Sequence, residues 1–252
     1  RSVEGITLAA SLPIGVEANA PPSKEQLGAA AVTGAAVSLA GKLDTLTGMI
    51  RGGGRPTGSR DAFGLRRAAQ GIIRILVDLP ELTGLNLPVP LGAVVQGDTD
   101  SALWMFLADR LRYVLEQRGY DPRNVRAVTH SDAAALSPLI AKRKLEVLPE
   151  FTESDDFKQL AVLFKRVKNI AKNLEPSAPD LGGTLIEPAE LALATEVDRL
   201  QPVIASAVAQ GTGYRQAFGE GAKAGPAVAK FFDDLMVNAD GLALRHGRVG
   251  LV

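Results

Sequence analysis

The apolar residues of this 252-residue chain recur mainly every three or four positions, with no convincing strand of period two. That period belongs to α-helices, with one greasy stripe per helix, and it leaves no room for half-buried strands. Leu39, Leu43, Leu46 and Ile50 form such a stripe, and with Leu27 they predict a helix that starts near Ser23, with Gln26 at the capping-box position, and stops before Gly52. Leu65, Ala69, Ile72 and Leu76 form the next, in a helix expected to start near Ser59 or Asp61 and to end at Pro80. Residues 80–100 read as irregular. Leu103, Leu107, Leu111, Val114 and Leu115 predict a helix over about 100–117, stopped by Gly119, with Asp121-Pro122 opening a short one after it.

Ser137-Pro138 predicts a helix over 137–148. Residues 155–173 predict another, with Leu160, Leu163, Phe164, Val167 and Ile170 inward. A loop is expected over 174–186. Pro188 starts a helix carrying Leu193, Val197, Leu200 and Ile204. Five glycines between Gly211 and Gly225 predict a loop around a short helical turn, and Pro226 starts the last clear helix, with Phe231 and Phe232 apolar. The expected fold class is therefore all-α, a helical bundle in two sub-bundles, with the domains placed at 1–130 and 131–252.

Several chemistries are excluded. The chain has no cysteine, so it forms no disulfide and no zinc–thiolate site. His130 and His246 are the two histidines; neither has a ligand partner at helical spacing, and both read as solvated polar residues. No stretch reaches the ~18 consecutive apolar residues of a membrane-spanning helix. The chain begins with Arg1 rather than Met, as in a processed protein or a fragment of a longer one.

The 28 basic and 28 acidic side chains cancel, so any RNA contact has to come from local basic patches. Arg51, Arg55 and Arg60 flank a glycine-rich loop that leads into a helix start, an arrangement suited to a phosphate although it lacks the lysine of a P-loop. Arg66 and Arg67 follow, one of them expected to pair with Asp61 or another acid. Lys142-Arg143-Lys144 and Lys165-Arg166 with Lys168 read as solvated helix faces that also suit a nucleic-acid backbone. Asp233-Asp234 reads as an acidic surface on an early helix turn, because neighbouring helical residues point about 100° apart and build no shared dyad.

Two of these segments resemble a family signature. Gly41-Lys-Leu-Asp-Thr-Leu-Thr-Gly48, followed by Arg55-Pro-Thr-Gly-Ser-Arg-Asp-Ala-Phe-Gly-Leu-Arg-Arg-Ala-Ala69, is similar to the β subunit of bacterial/plastid-type glycyl-tRNA synthetase. Phe164-Lys-Arg-Val-Lys-Asn-Ile170, Glu187-Pro-Ala-Glu190, Phe231-Phe-Asp-Asp-Leu-Met-Val237 and Ala243-Leu-Arg-His-Gly-Arg248 resemble later segments of that family in the same order. Ala62 stands where the family usually has proline, Phe164 where it has asparagine, and Gly247 where it has asparagine. Gly64 resembles the plastid members.

The resemblance implies the C-terminal portion of that subunit: a degenerate His–Asp-type helical region, then an anticodon-binding-type bundle. It further implies that glycyl-adenylate forms on an α subunit or region, so that ATP and glycine bind there, and that this chain holds no cofactor and no catalytic residue. The RNA-binding residues it implies are Arg55, Arg60, Arg66 and Arg67, which hold tRNA backbone or neighbouring domains, and Lys165, Arg166, Lys168, Asn169, Arg245 and Arg248 near the anticodon. Asn169 is expected to read a base edge. The implied partners are tRNA(Gly) or other RNA and the α subunit. The alternative is a repurposed, non-catalytic remnant serving as a structural or RNA-binding subunit of an organellar ribonucleoprotein such as a ribosome, and a scaffold without RNA contact is a third reading. A plastid or mitochondrion is the compartment expected from Gly64, a bacterial cytoplasm otherwise.

Overall fold

The structure is a computed structural model and describes residues 24–52, 54, 64–94, 101–171 and 187–234. Among these it contains helices and no strand, so the fold is all-α. The chain divides into two compact units after Glu146; the sequence pattern had placed the division at 130/131. Residues 131–146 pack with the first unit because Leu136, Ala141 and Leu145 join its core.

The first unit holds α1 (Lys24–Leu27), a 3-10 turn (Gly28–Ala30), α2 (Ala31–Arg51), α3 (Leu65–Val77), α4 (Leu79–Thr83), α5 (Leu91–Val94), α6 (Ser101–Gln117), α7 (Pro122–Val128) and the start of α8 (Pro138–Thr152). The helix expected from Ser23 is broken at Gly28, whose φ of +62° ends α1. In α2, Ala31, Gly34, Ala35 and Ser38 are buried at helical spacing. Small residues there let the backbone approach Ile75, Leu79 and Leu82. The leucine stripe serves the second half of the same helix, where Leu46 is buried and Leu39, Leu43 and Ile50 lie against the main core.

That core is built by α3 and α6. Ile72, Ile73, Leu76 and Val77 of α3 meet Leu103, Leu107, Leu111 and Leu115 of α6, all but fully buried. Each such side chain contributes about 1.5–3 kcal/mol of burial. Pro80 does not end α3. The helix stops at Val77, and the proline sits in the first turn of α4, where its missing N–H costs nothing. The irregular reading of 80–100 is thus corrected in part, since α4 and α5 are helical.

At α7 the expected cap is in place. Asp121 Oδ1 accepts from Arg123 N at 2.8 Å and Asn124 N at 3.2 Å. Its far end is held by Arg112 of α6, which donates through Nε to Thr129 Oγ1 and through Nη2 to Thr129 O, both at 3.1 Å. A cation on the last carbonyls also complements the helix dipole.

The second unit comprises the end of α8, α9 (Asp155–Ala171), α10 (Pro188–Gln210), α11 (Tyr214–Lys223) and α12 (Gly225–Asp234). Glu190 is fully buried at the start of α10, where its Oε2 accepts from Glu187 N at 3.0 Å. The loop expected over 211–225 is corrected: Tyr214–Lys223 is a ten-residue helix. Glycine at 219 and 221 costs about 1 kcal/mol each in a helix, but aromatic packing offsets it. Phe218 lies 5.9 Å from Phe151 and 6.5 Å from Tyr214, and Gly219 leaves room beside the Phe151 ring. The glycines that punctuate the chain are Gly211 (φ +62°) and Gly213 (φ +75°). The inward assignment of Phe164 is also corrected, since it is 66% exposed. Val167 and Ile170, and the loop at 174–186, lie outside the described side chains and residues. Asp233 and Asp234 fall in the last described turn of α12, and Asp234 pairs with Lys230 at 3.1 Å.

Candidate RNA-binding surface

Arg66 and Arg67 occupy the first turn of α3, immediately after Gly64, whose φ of +67° turns the chain into the helix. Ala68 N donates to Gly64 O at 2.8 Å, closing the first helical ring there. Arg66 is half-buried and Arg67 exposed, with the Arg67 guanidinium lying beside Gly64. Across the glycine-rich segment, α2 ends at Arg51, and Gly52 N and Gly54 N fold back onto Gly48 O and Met49 O. Since α2 and α3 pack together, Arg51 and the arginine pair stand at the two ends of the segment that joins these helices. Arg55, Arg60 and Asp61 lie outside the described residues.

In the second unit, Lys165 is exposed on α9. Positions 165, 168 and 169 share a helical face by spacing, and of residues 166–171, which include Arg166, Lys168 and Asn169, only the backbone is described. Arg245 and Arg248 lie outside the described residues, as does His246. His130 is exposed, consistent with a solvated residue. Among the described residues no group of His, Asp or Glu is placed to hold a metal ion, and no helix is long and apolar enough to cross a membrane.

A family model described as the glycyl-tRNA synthetase beta subunit matches residues 15–130. The glycine–tRNA ligase beta subunit of Leptothrix cholodnii is 39% identical over 228 residues, which is 87% of this chain and 31% of that protein. That of Acidovorax sp. (strain JS42) is 38% identical over 226 residues, again 87% and 31%. That of Pseudomonas aeruginosa (strain LESB58) is 36% identical over 234 residues, 88% and 33%. This is a member of the glycyl-tRNA synthetase beta subunit family. The chain spans about a third of the length of the curated relatives it matches.

Within this family member, one of the three basic clusters is not a solvated face. Lys142 Nζ, with its side chain only 14% exposed, donates to Glu81 Oε1 at 2.8 Å and approaches Asp78 Oδ1 at 3.5 Å and Glu146 Oε1 at 3.8 Å. Asp78, buried between α3 and α4, accepts both terminal nitrogens of Arg118, through Oδ1 at 2.8 Å and through Oδ2. Arg143 donates to Asn86 Oδ1. This reading corrects the sequence pattern for Lys142, whose donors are spent on carboxylates rather than left for a phosphate. The partners sit 40 and 64 residues apart, so no local spacing announces them.

Burial alone would lower the pKa of Arg118 and of Lys142. Hydrogen bonds from Arg118 to Asp78 and from Lys142 to Glu81, with the nearby carboxylate charges, outweigh it and raise both. Burial raises Glu81, but Lys142 and Arg118 win and hold it below its usual 4.5. Arg74 is lowered, by burial first and by the Arg118 charge next. The Glu81 contribution to stability is therefore present above about pH 4.5 and fades as pH falls through its lower folded value, while that of Lys142 is complete below 10.5 and fades as pH rises through its higher one. Thermal melts by circular dichroism should show the midpoint falling at both extremes, and Glu81→Gln should flatten the acid limb relative to wild type.

Proposed function

We propose that this chain is an RNA-binding part of a glycine–tRNA ligase beta subunit, holding tRNA(Gly) for aminoacylation on an α subunit. The observation that carries this reading is the 36–39% identity to beta subunits over 87–88% of the chain. In this reading Arg51, Arg55, Arg60, Arg66 and Arg67 meet tRNA phosphates around the segment that joins α2 to α3. The α9 face with Lys165, Arg166, Lys168 and Asn169, together with Arg245 and Arg248, serves the anticodon end. ATP and glycine bind on the α subunit, and the beta chain contributes affinity and orientation rather than a catalytic group. The relatives named are bacterial, so the compartment inferred is a bacterial cytoplasm.

The test is to purify the native protein from its source, identify by mass spectrometry what co-migrates, and assay the same pool for glycylation of tRNA(Gly). Co-migration with an α subunit and charging activity is the expected result. Co-migration with a large ribonucleoprotein and no charging would overturn it in favour of a repurposed structural subunit.

A further inference from the structure

Arg110 on α6 differs from the ion-paired arginines of the fold. Arg112, Arg118, Arg199 and Arg215 each pair with a carboxylate. The Arg110 guanidinium instead lies over two rings of its own helix, 5.8 Å from the Phe106 centroid and 5.3 Å from that of Tyr113. Its Nε is buried, and no oxygen among the described residues accepts from it. Phe106 and Tyr113 are themselves anchored on the core of the first unit.

A guanidinium nitrogen removed from water without an acceptor is costly, and ring faces offset only part of that cost. What remains is a planar, permanently charged fork, fixed in orientation by aromatics on either side. That geometry matches two oxygens of a phosphate better than a mobile lysine does, and the fork loses little side-chain entropy on binding because it is already ordered. We propose that Arg110, clamped on Phe106 and Tyr113, is a further phosphate-contacting residue that grips the backbone of the bound RNA. The proposal rests on the tRNA-binding reading above and assigns that function a residue outside every basic cluster visible in the sequence.

The experiment is a titration of the full polypeptide with fluorescent tRNA(Gly) over a salt series, comparing wild type with Arg110→Gln and Arg110→Lys, and with melts of both variants. Losing one charge-assisted contact should weaken binding by Arg110→Gln about tenfold. The slope of log affinity against log salt should shrink by about 0.7–0.9, the share of one phosphate. Arg110→Lys keeps the charge and the slope but not the fork, so its affinity should fall by less. It decides the matter if the glutamine variant does not fold. A purely structural Arg110 would lower the melting midpoint and leave affinity and slope of the folded variants at wild-type values, which overturns the proposal. Wild type failing to bind tRNA(Gly) at all would overturn it together with the reading it rests on.

Discussion

Replacing Asp78 by alanine is expected to lower the unfolding free energy by about 3–5 kcal/mol, the cost of stranding buried cations without their partner. Asp78 is only 2% exposed, and Arg118, Lys142 and Arg74 surround it from α3, α8 and the turn after α6. Without the carboxylate, Arg118 keeps its place in a desolvated pocket with its two principal bonds gone. Lys142 retains Glu81 and Glu146, both about half exposed and so more weakly coupled. Asp78→Asn keeps the volume and part of the hydrogen bonding and should cost less than alanine. Denaturant titration with either variant close to wild type would show that the cluster is not what joins these helices.

Phe231→Ala should cost about 3–5 kcal/mol in the second unit. The first unit has many wholly buried leucines and isoleucines to share its stability, whereas Phe231 is the one apolar side chain of the second unit at 0% exposure among the described residues. Its ring stacks edge-on against Phe232 at 5.6 Å, and α12 packs on both α9 and α10. Removing the ring leaves a cavity where three helices meet, so the loss should exceed that of Leu193→Ala at a site 3% exposed. Phe231→Leu should recover more than half, because it refills most of the volume. A melt of Phe231→Ala within 1 kcal/mol of wild type would contradict this account of the unit.

The long helices were legible because local signals agreed with burial. Period, an Asp121 cap and prolines at 122, 138 and 188 mark α6 to α8 and α10 within a few residues. At α11 they misled, because glycine reads as loop until Phe151, over 60 residues away, is placed against Phe218. Phe164 misled in the other direction: it fits the inward period of α9, yet nothing covers it among the described residues of its unit. In the candidate surface, residue type was readable and pairing was not. Lys142 and Lys165 look alike in sequence, and only contacts at long separation spend the first and leave the second exposed. For Arg110 a signal was present, since Phe106 and Tyr113 stand at the i−4 and i+3 positions of one helix, where rings and cation meet.

The central claim is that this member of the beta subunit family binds the tRNA that the ligase charges. The most direct measurement is filter binding of the purified polypeptide to tRNA(Gly), with a non-cognate tRNA as competitor, at several salt concentrations. The account predicts saturable binding that weakens steeply as salt rises, since several phosphates are neutralised by local arginines and lysines on a chain of zero net charge, and a preference for tRNA(Gly) over the competitor. Absence of tRNA binding at low salt would contradict it.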